Sequence, residues 1–342
     1  MKLQDTRFAL TADPHIENNK NLPFIIKTFD WIIETLEKEK IKHLIILGDF
    51  INSRIKIDSL ALNKAIDILN KFYEKGIVVF LLLGNHERYT KTSDFTITSI
   101  KPFEKHSYII DDLKLIKGNN FNFICVPNIE NNDDFVDIIK KIKIEKGKFN
   151  ILLAHQSIQG AVSNDLFNIH DRTGLSPELF DGFDRVFLGH FHKRQEIPKN
   201  ILYVGSPVQL SFGEEFSEKG LTIWNSEDNT TKFICNPNYE IYKTVDNTTD
   251  QVADRFVRYI TNDFIDNVEA KKIKEELYSK GALEVKIEIK QKAFENIKET
   301  EIEIFDLNEI VKKYIELNSA VLDKDRCLKT YIKVREDTQI EA

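Results

Sequence analysis

The chain has 342 residues, 42% hydrophobic and 30% charged, with a formal net charge of −7 at pH 7. This length supports two or three domains, the first large enough to bury its own core, and no apolar run is long enough to span a membrane. Evenly spread negative charge would argue against a nucleic-acid protein, but bound divalent ions reverse the sign of a site locally, so nucleic acid is not excluded.

In chain order, the apolar run Phe8-Ala9-Leu10 precedes Asp13 and His15, and a helical pattern covers residues 21–40. Residues 44–47 are a second apolar run and end in Gly48-Asp49. A second helix is expected over 57–75, with Leu60, Ala61, Ala65, Leu69 and Phe72 on one face. The run 78–83 leads into Gly84-Asn85-His86-Glu87, the run 149–153 into His155, and the run 186–188 into Gly189-His190-Phe191-His192. Runs of this kind alternating with helices predict a layered α/β domain with buried strands, whose C-terminal ends bring such residues to one crevice. Five of the eight histidines fall in these clusters; His43, His106 and His170 lie outside them and are expected to be surface or core residues.

Further on, residues 201–204, 220–224 and 231–235 are short β runs with no helix between them, which predicts a second, more antiparallel sheet. Asn236-Pro237-Asn238 reads as a turn. Helices are expected over 249–261 and 268–280 and a strand over 283–289, together a small α+β domain. A polar linker at 290–300 precedes two tail helices, one striped by Ile304, Leu307, Val311, Tyr314 and Leu317, the other by Leu328, Tyr331 and Ile332. The expected division is 1–240, 241–292 and 293–342.

Asp13, His15, Asp49, Asn85, His155, His190 and His192 offer the donors of a two-metal phosphoesterase. Hydrolysis of a phosphodiester needs help both for the attacking group and for the leaving alkoxide, and two cations roughly 3.5–4 Å apart supply it. Asp49 is the natural bridge, with Asp13, His15 and His192 around one ion and Asn85, His155 and His190 around the other. Mixed imidazole, carboxylate and amide donors favour Mn, Fe or Zn over Mg. Cys125, Cys235 and Cys327 are far apart in no CxxC pattern, so they are expected to be reduced, buried thiols and not ligands. His86, beside Asn85 and followed by Glu87 as a partner to orient it, is the candidate to protonate the leaving oxygen. Residues 1–10 carry no signal-peptide apolar region, which predicts a cytoplasmic protein.

These clusters resemble the calcineurin-type metallophosphoesterase superfamily. Three longer stretches, residues 155–161, 189–193 and above all 203–214 (Tyr203 to Glu214), resemble the SbcD-type nuclease subunit of DNA-break repair complexes, including its short phage version. The resemblance is strong over about residues 5–235 and weak beyond. It implies a layered sandwich of two mixed sheets flanked by helices, with a small α+β cap domain that contacts DNA and a C-terminal helical hairpin. It also implies a Mn-dependent exonuclease and endonuclease, a homodimer, and a partner in an SbcC-type coiled-coil ABC ATPase. The family usually has His or Asp three residues past the Gly-Asp aspartate; here that position is Asn52, which can hydrogen-bond but not titrate, so its catalytic role is put in question. A stand-alone phosphoesterase acting on small phosphodiesters or phosphoproteins is the alternative, and the tail stripe has its own alternative of packing on the catalytic domain.

Overall fold

Short apolar runs alternating with amphipathic helices build two stacked sheets in the computed structural model, which describes residues 3–52, 56–88, 101–164, 169–198, 200–289, 326–327 and 329–331. The chain divides into two compact units, Met1–Ile289 and Lys290–Ala342. The first sheet runs, in spatial order, Thr230–Cys235, Gly220–Asn225, Arg7–Thr11, His43–Leu47, Val78–Leu82 and Tyr108–Ile110. The second runs Gln195–Ile197, Ile201–Tyr203, Arg185–Gly189, Phe149–His155, Phe121–Val126 and Lys114–Lys117. Both sheets are mixed: a parallel group, holding the five strands that precede the histidine and aspartate clusters, is bordered by antiparallel strands. The fold is therefore α/β with two mixed sheets.

The parallel strands are apolar throughout because both of their faces are covered. Phe8, Leu10, Ile45, Leu47, Phe80 and Leu82 point between the sheets and meet Phe123, Ile151, Leu153, Phe187 and Leu202. Trp224 fills the same layer, edge-on to Phe121 at 5.3 Å. The alternate residues Ala9, Leu44, Ile46, Val79 and Leu81 turn outward onto the helices Leu22–Glu39 and Ser59–Glu74, as the two-residue period of a strand requires. Ile124, Leu152, Val186 and Leu188 pack with Phe135 and Ile139 of the helix Asn132–Lys141 on the opposite side. Asp58 caps the second helix by accepting from the backbone of Leu60 and Ala61. Leu60, read as part of that helix's buried face, is instead 45% exposed, because it sits in the first turn, where the helix begins.

Two expectations are corrected. Residues 201–204, 220–224 and 231–235 do not form a separate antiparallel sheet: Ile201–Tyr203 joins the second sheet parallel to Arg185–Gly189, while Gly220–Asn225 and Thr230–Cys235 extend the first. Each adds to an edge where unpaired backbone groups need partners. The helix expected over 249–261 is also absent; Phe256–Thr261 is the middle strand of a three-stranded parallel sheet between Tyr242–Val245 and Glu284–Ile289. Its apolar spacing is compatible with a helix, but a segment paired on both sides gains two ladders of hydrogen bonds. The helix Asn267–Ser279 and the strand Glu284–Ile289 fall where the sequence predicts them. The linker at 290–300 and the stripe from Ile304 to Leu317 lie outside the described residues, as do Leu328 and Ile332; residues 326–327 and 329–331 are helical.

The three-stranded unit has its own small core of Val245, Val252, Val257, Leu277, Ala282 and Val285. Leu277 is the one fully covered side chain that its helix contributes. Leu277→Ala should therefore cost roughly 2–5 kcal/mol, and hydrogen–deuterium exchange should accelerate across 242–289 while the strands Arg7–Thr11 and His43–Leu47 stay protected. Uniform acceleration through both regions would show that the unit does not open separately.

Candidate metal centre

The donors sit immediately past strand ends. Arg7–Thr11 leads to Asp13 and His15, His43–Leu47 to Asp49, Val78–Leu82 to Asn85 and His86, Phe149–His155 ends on His155, and Arg185–Gly189 leads to His190 and His192. Turning sharply here takes left-handed backbone: φ is 51° at Asp13, 47° at His15, 52° at Asp49 and 102° at His190. Such conformations cost roughly 1–3 kcal/mol each and persist where the surroundings over-determine them. The surroundings are backbone hydrogen bonds between the loops, His15 N to Asp49 O at 3.0 Å, Asp13 N to Gly48 O at 3.1 Å and Ile16 N to Phe50 O at 2.9 Å. Two glycines permit the approach. Gly48, at φ 89°, would place a Cβ 2.2 Å from His155 Nδ1, and one on Gly189 would lie 1.9 Å from the carbonyl oxygen of Leu47.

Contacts of 3.9 Å or less join all seven predicted ligands, together with His86, into one cluster. His15 Nε2 lies 3.0 Å from His192 Nε2 and 3.6 Å from Asp49 Oδ2. Asp49 Oδ2 is 3.5 Å from His155 Nε2 and 3.9 Å from His86 Nε2. Asn85 Oδ1 is 2.9 Å from His155 Nε2 and 3.1 Å from His190 Nδ1. Asp13 accepts from the backbone N–H of His190 at 3.0 Å. His155 Nδ1 meets the carbonyl oxygen of Leu47 at 2.7 Å, which turns Nε2 toward Asp49 and Asn85. Asp13, His15 and His192 offer donor atoms within 4.8 Å of one another, as do Asp13, Asp49 and His155. Both groups mix nitrogen and oxygen donors and fit a divalent transition metal.

The electrostatics have the same focus. Burial raises Asp13 to about 6 against the opposing charges of His155 and His192. Burial would raise Asp49 as well, but the charge and hydrogen bond of His155, with His15 and His86, hold it well below the usual carboxylate range. Burial and then His192 push His15 down to about 3, and burial and then His155 push His190 to about 4, so both rings are neutral and have lone pairs to give. Burial disfavours charge on His155 too, yet Asp49 and Asp13 overcome it and raise the ring to about 10. The two carboxylates thus favour the charged form of His155.

Several residues differ from their expected roles. Glu87 does not orient His86: it is fully buried, and its carboxylate accepts from the backbone N–H groups of Gly84 at 2.7 Å, Asp49 at 3.0 Å and Ile51 at 3.1 Å. It shapes the Asp49 loop, and burial with the nearby Asp49 charge raises it to about 8. His86 stacks edge-on against His15 at 4.8 Å with its side chain 36% exposed, so it faces solvent at the rim of the cluster. The Asn52 side chain donates to Glu17 Oε2 at 2.8 Å and its backbone N–H to Ile16 O at 3.1 Å. His43 is buried against Phe8 and Phe80, His106 stacks on Tyr73, and His170 is exposed, all apart from the donors as expected. Cys125 is buried, Cys235 exposed and Cys327 half-buried, so the expected burial holds for one of the three thiols. Two residues without a predicted role, Glu214 and Lys219, also belong to the site. Glu214 Oε1 lies 2.8 Å from His192 Nδ1 and Oε2 lies 2.8 Å from Lys219 Nζ, which also donates to His192 O at 2.8 Å. Their signal was Glu214 closing the distinctive stretch 203–214, which carries none of the histidines or aspartates that mark a ligand.

A two-sheet α/β sandwich with aspartate, histidine and asparagine donors gathered at its strand ends defines a metal-binding hydrolase framework. The profile of the family described as calcineurin-like phosphoesterase matches residues 6–194, and the chain belongs to that family. The family uses two divalent metal ions, and the Asp/His groups here can hold metal. A protein of Invertebrate iridescent virus 6 named as a phosphoesterase, 244L, is 28% identical over 228 residues, 65% of this chain and 76% of that one. The SbcD component of nuclease SbcCD from Staphylococcus saprophyticus is 30% identical over 261 residues, 66% of this chain and 67% of its own. Exonuclease subunit 1 of Enterobacteria phage T4 is 25% identical over 213 residues, 60% of this chain and 59% of its own. Among the described residues, no helix is long and apolar enough to cross a membrane.

Ligands must shed their protons to bind a metal. With His155 raised to about 10 and Asp13 to about 6, a divalent ion displaces protons, and its affinity should rise with pH between about 5.5 and 8. Calorimetric Mn titrations of metal-stripped protein, run in two buffers of different ionisation enthalpy, count the protons released. Identical heats in both buffers, with affinity flat across this range, would contradict the displacement.

Proposed function

We propose that the chain is the nuclease subunit of a DNA-break repair or recombination complex, hydrolysing phosphodiesters at duplex ends and within single strands. The observation that carries the reading is the place of Asp49, within 3.6 Å of His15 and 3.5 Å of His155, where it stands between two donor sets. We assign Asp13, His15, Asp49 and His192 to one metal and Asp49, Asn85, His155 and His190 to the other, with Mn as the resident ion. Bound, the two ions supply charge neutralisation and a nucleophile active at neutral pH.

The protein's own residues do the rest. Asp49 and Asn85 set the spacing of the donor sets, and Glu87 keeps the Asp49 loop from relaxing by accepting from its Asp49 and Ile51 N–H groups and tying them to the N–H of Gly84. His86, at the exposed rim and 3.9 Å from Asp49, is placed to hold the phosphate and pass a proton to the leaving oxygen. Asn52, tied to Glu17, takes part by steering a hydrogen bond and cannot exchange a proton. Nucleic acid as substrate is supported by the names of the bacterial and phage relatives, each a nuclease subunit, and this also supports a partner subunit. In our reading that partner is an SbcC-type ATPase that binds residues 293–342, the protein is a homodimer working in the cytoplasm, and residues 241–292 contact DNA. The iridescent-virus relative, named only as a phosphoesterase, supports the second reading of a stand-alone phosphodiesterase.

One assay separates these readings. Purified protein is given end-labelled linear duplex, labelled single strand or bis-p-nitrophenyl phosphate, in Mn or Mg, with and without an SbcC-type ATPase. The nuclease reading expects Mn-dependent cleavage of both DNAs, with duplex degradation stimulated by the ATPase; hydrolysis of the small diester alone favours the second. Asp49→Ala should abolish all turnover by disturbing both donor sets. His86→Ala should retain two metals by elemental analysis but lose at least about 100-fold in rate, the usual scale of a general acid; a wild-type rate would remove His86 from the mechanism.

A further inference from the structure

The loop that closes the stretch 203–214 touches two parts of the molecule at once. On one side, Glu214 is buried and holds His192 Nδ1 at 2.8 Å, and Lys219, 1% exposed, braces both Glu214 and the backbone of His192. Glu214 Oε2 also accepts from the N–H of Leu210 at 3.2 Å. On the other side, the next residue, Glu215, accepts from the backbone N–H of Thr244 and from its hydroxyl at 2.5 Å. Arg258 donates to the same hydroxyl at 3.0 and 2.9 Å, lies 3.8 Å from Glu215 and stacks over Phe212 at 4.8 Å. Thr244 and Arg258 are paired neighbours on the two strands Tyr242–Val245 and Phe256–Thr261.

Gln209 joins the two sides a second time. It is fully buried, its amide oxygen accepts from the N–H groups of Ile241 and Tyr242 at 3.0 Å, and its amide nitrogen donates to the carbonyls of Glu214 at 3.4 Å and Glu215 at 3.2 Å. An amide satisfied on both ends by separate backbone segments fixes their spacing. The loop is thus held by the three-stranded unit through Gln209, Glu215 and Arg258, while presenting Glu214 to the metal cluster.

We propose that the three-stranded parallel unit is part of the scaffold of the metal centre: by gripping Glu215 with Thr244 and Arg258, it positions Glu214, and Glu214 fixes the ring of His192 for one of the two metals. Glu214, Glu215, Gln209 and Arg258 are positioning residues and touch neither metal nor substrate. Carboxylates that hold the far nitrogen of a ligand histidine set its tautomer and orientation. The unit that we assign to DNA contact is then mechanically continuous with one side of the cluster. The inference rests on His192 being a ligand and is independent of the substrate.

The test is Mn binding to metal-stripped, full-length protein, read as two separate affinities, with a thermal melt of each variant. His192→Ala should lose one site. Glu214→Gln should weaken that same site roughly 10- to 100-fold, the usual effect of such partners, and leave the other within about threefold, the site being bound to no shared side chain but Asp49. Arg258→Ala should weaken the same site by roughly 2- to 30-fold, the range for remote contacts in such networks. Arg258→Lys, which keeps the charge but not the forked donor, should fall between it and wild type and serves if the alanine variant fails to fold. Arg255→Ala, which removes a pair between this unit and Glu240 at 3.1 Å, is the matched control and should leave both sites alone. Wild-type affinities in both Arg258 variants would overturn the link, as would equal weakening of both sites with a lowered melting temperature. If His192→Ala left both affinities unchanged, the ligand assignment would fail and the link with it, whereas a DNA-cleavage failure would leave these titrations unaffected.

Discussion

Two carboxylates, Asp13 and Asp49, are brought into the interior side by side, and their like charge in a place that water scarcely reaches is the constraint around which the strand ends are arranged. An isolated buried carboxylate is costly enough that it normally becomes neutral. Here they are answered by imidazoles at 3.9 Å or closer, by backbone N–H groups such as those of His86 on Asp49 and His190 on Asp13, and, in a family that works with two divalent ions, by metal. Each answer requires the ends of five strands from two sheets to meet, so the burial of charge and the packing of the sandwich are one problem.

The backbone carries much of that cost. Four of the donors occupy left-handed conformations, a geometry that local preference opposes and that only the surrounding hydrogen bonds can hold. Glu87 contributes by accepting from three backbone N–H groups of the Gly84 and Asp49 loops, adding a third buried carboxyl that burial and the neighbouring Asp49 raise to about 8. A partly protonated acid can occupy this interior where another full negative charge would meet the repulsion of Asp49.

The later part of the chain extends the same logic. The strands between residues 201 and 235 do not found a new layer but extend the two existing sheets, and the return of the chain through Gly220–Asn225 places Lys219 against Glu214 and His192. The adjacent glutamates, Glu214 and Glu215, face opposite partners, as consecutive residues on a short turn readily do. One small loop therefore serves both the donor cluster and the parallel three-stranded unit.

The sequence by itself determined the parts of this protein that are local. Apolar runs followed by glycine and by aspartate, asparagine or histidine specify buried strands with donors at their ends, because strand burial and turn geometry depend on neighbours in the chain; all seven donors, and His86 beside them, meet in one cluster. Tertiary structure decided what depends on partners distant in sequence. Phe256–Thr261 has apolar spacing that suits a helix, and only pairing with Tyr242–Val245 and Glu284–Ile289 makes it a strand. Glu87 follows His86 in the chain, yet its carboxylate turns to Gly84, Asp49 and Ile51, because buried N–H groups need an acceptor more than a half-exposed ring does. Glu214 lies 22 residues from His192 with no spacing that predicts their contact, since a hydrogen bond between side chains on separate loops exists only once both sheets have closed.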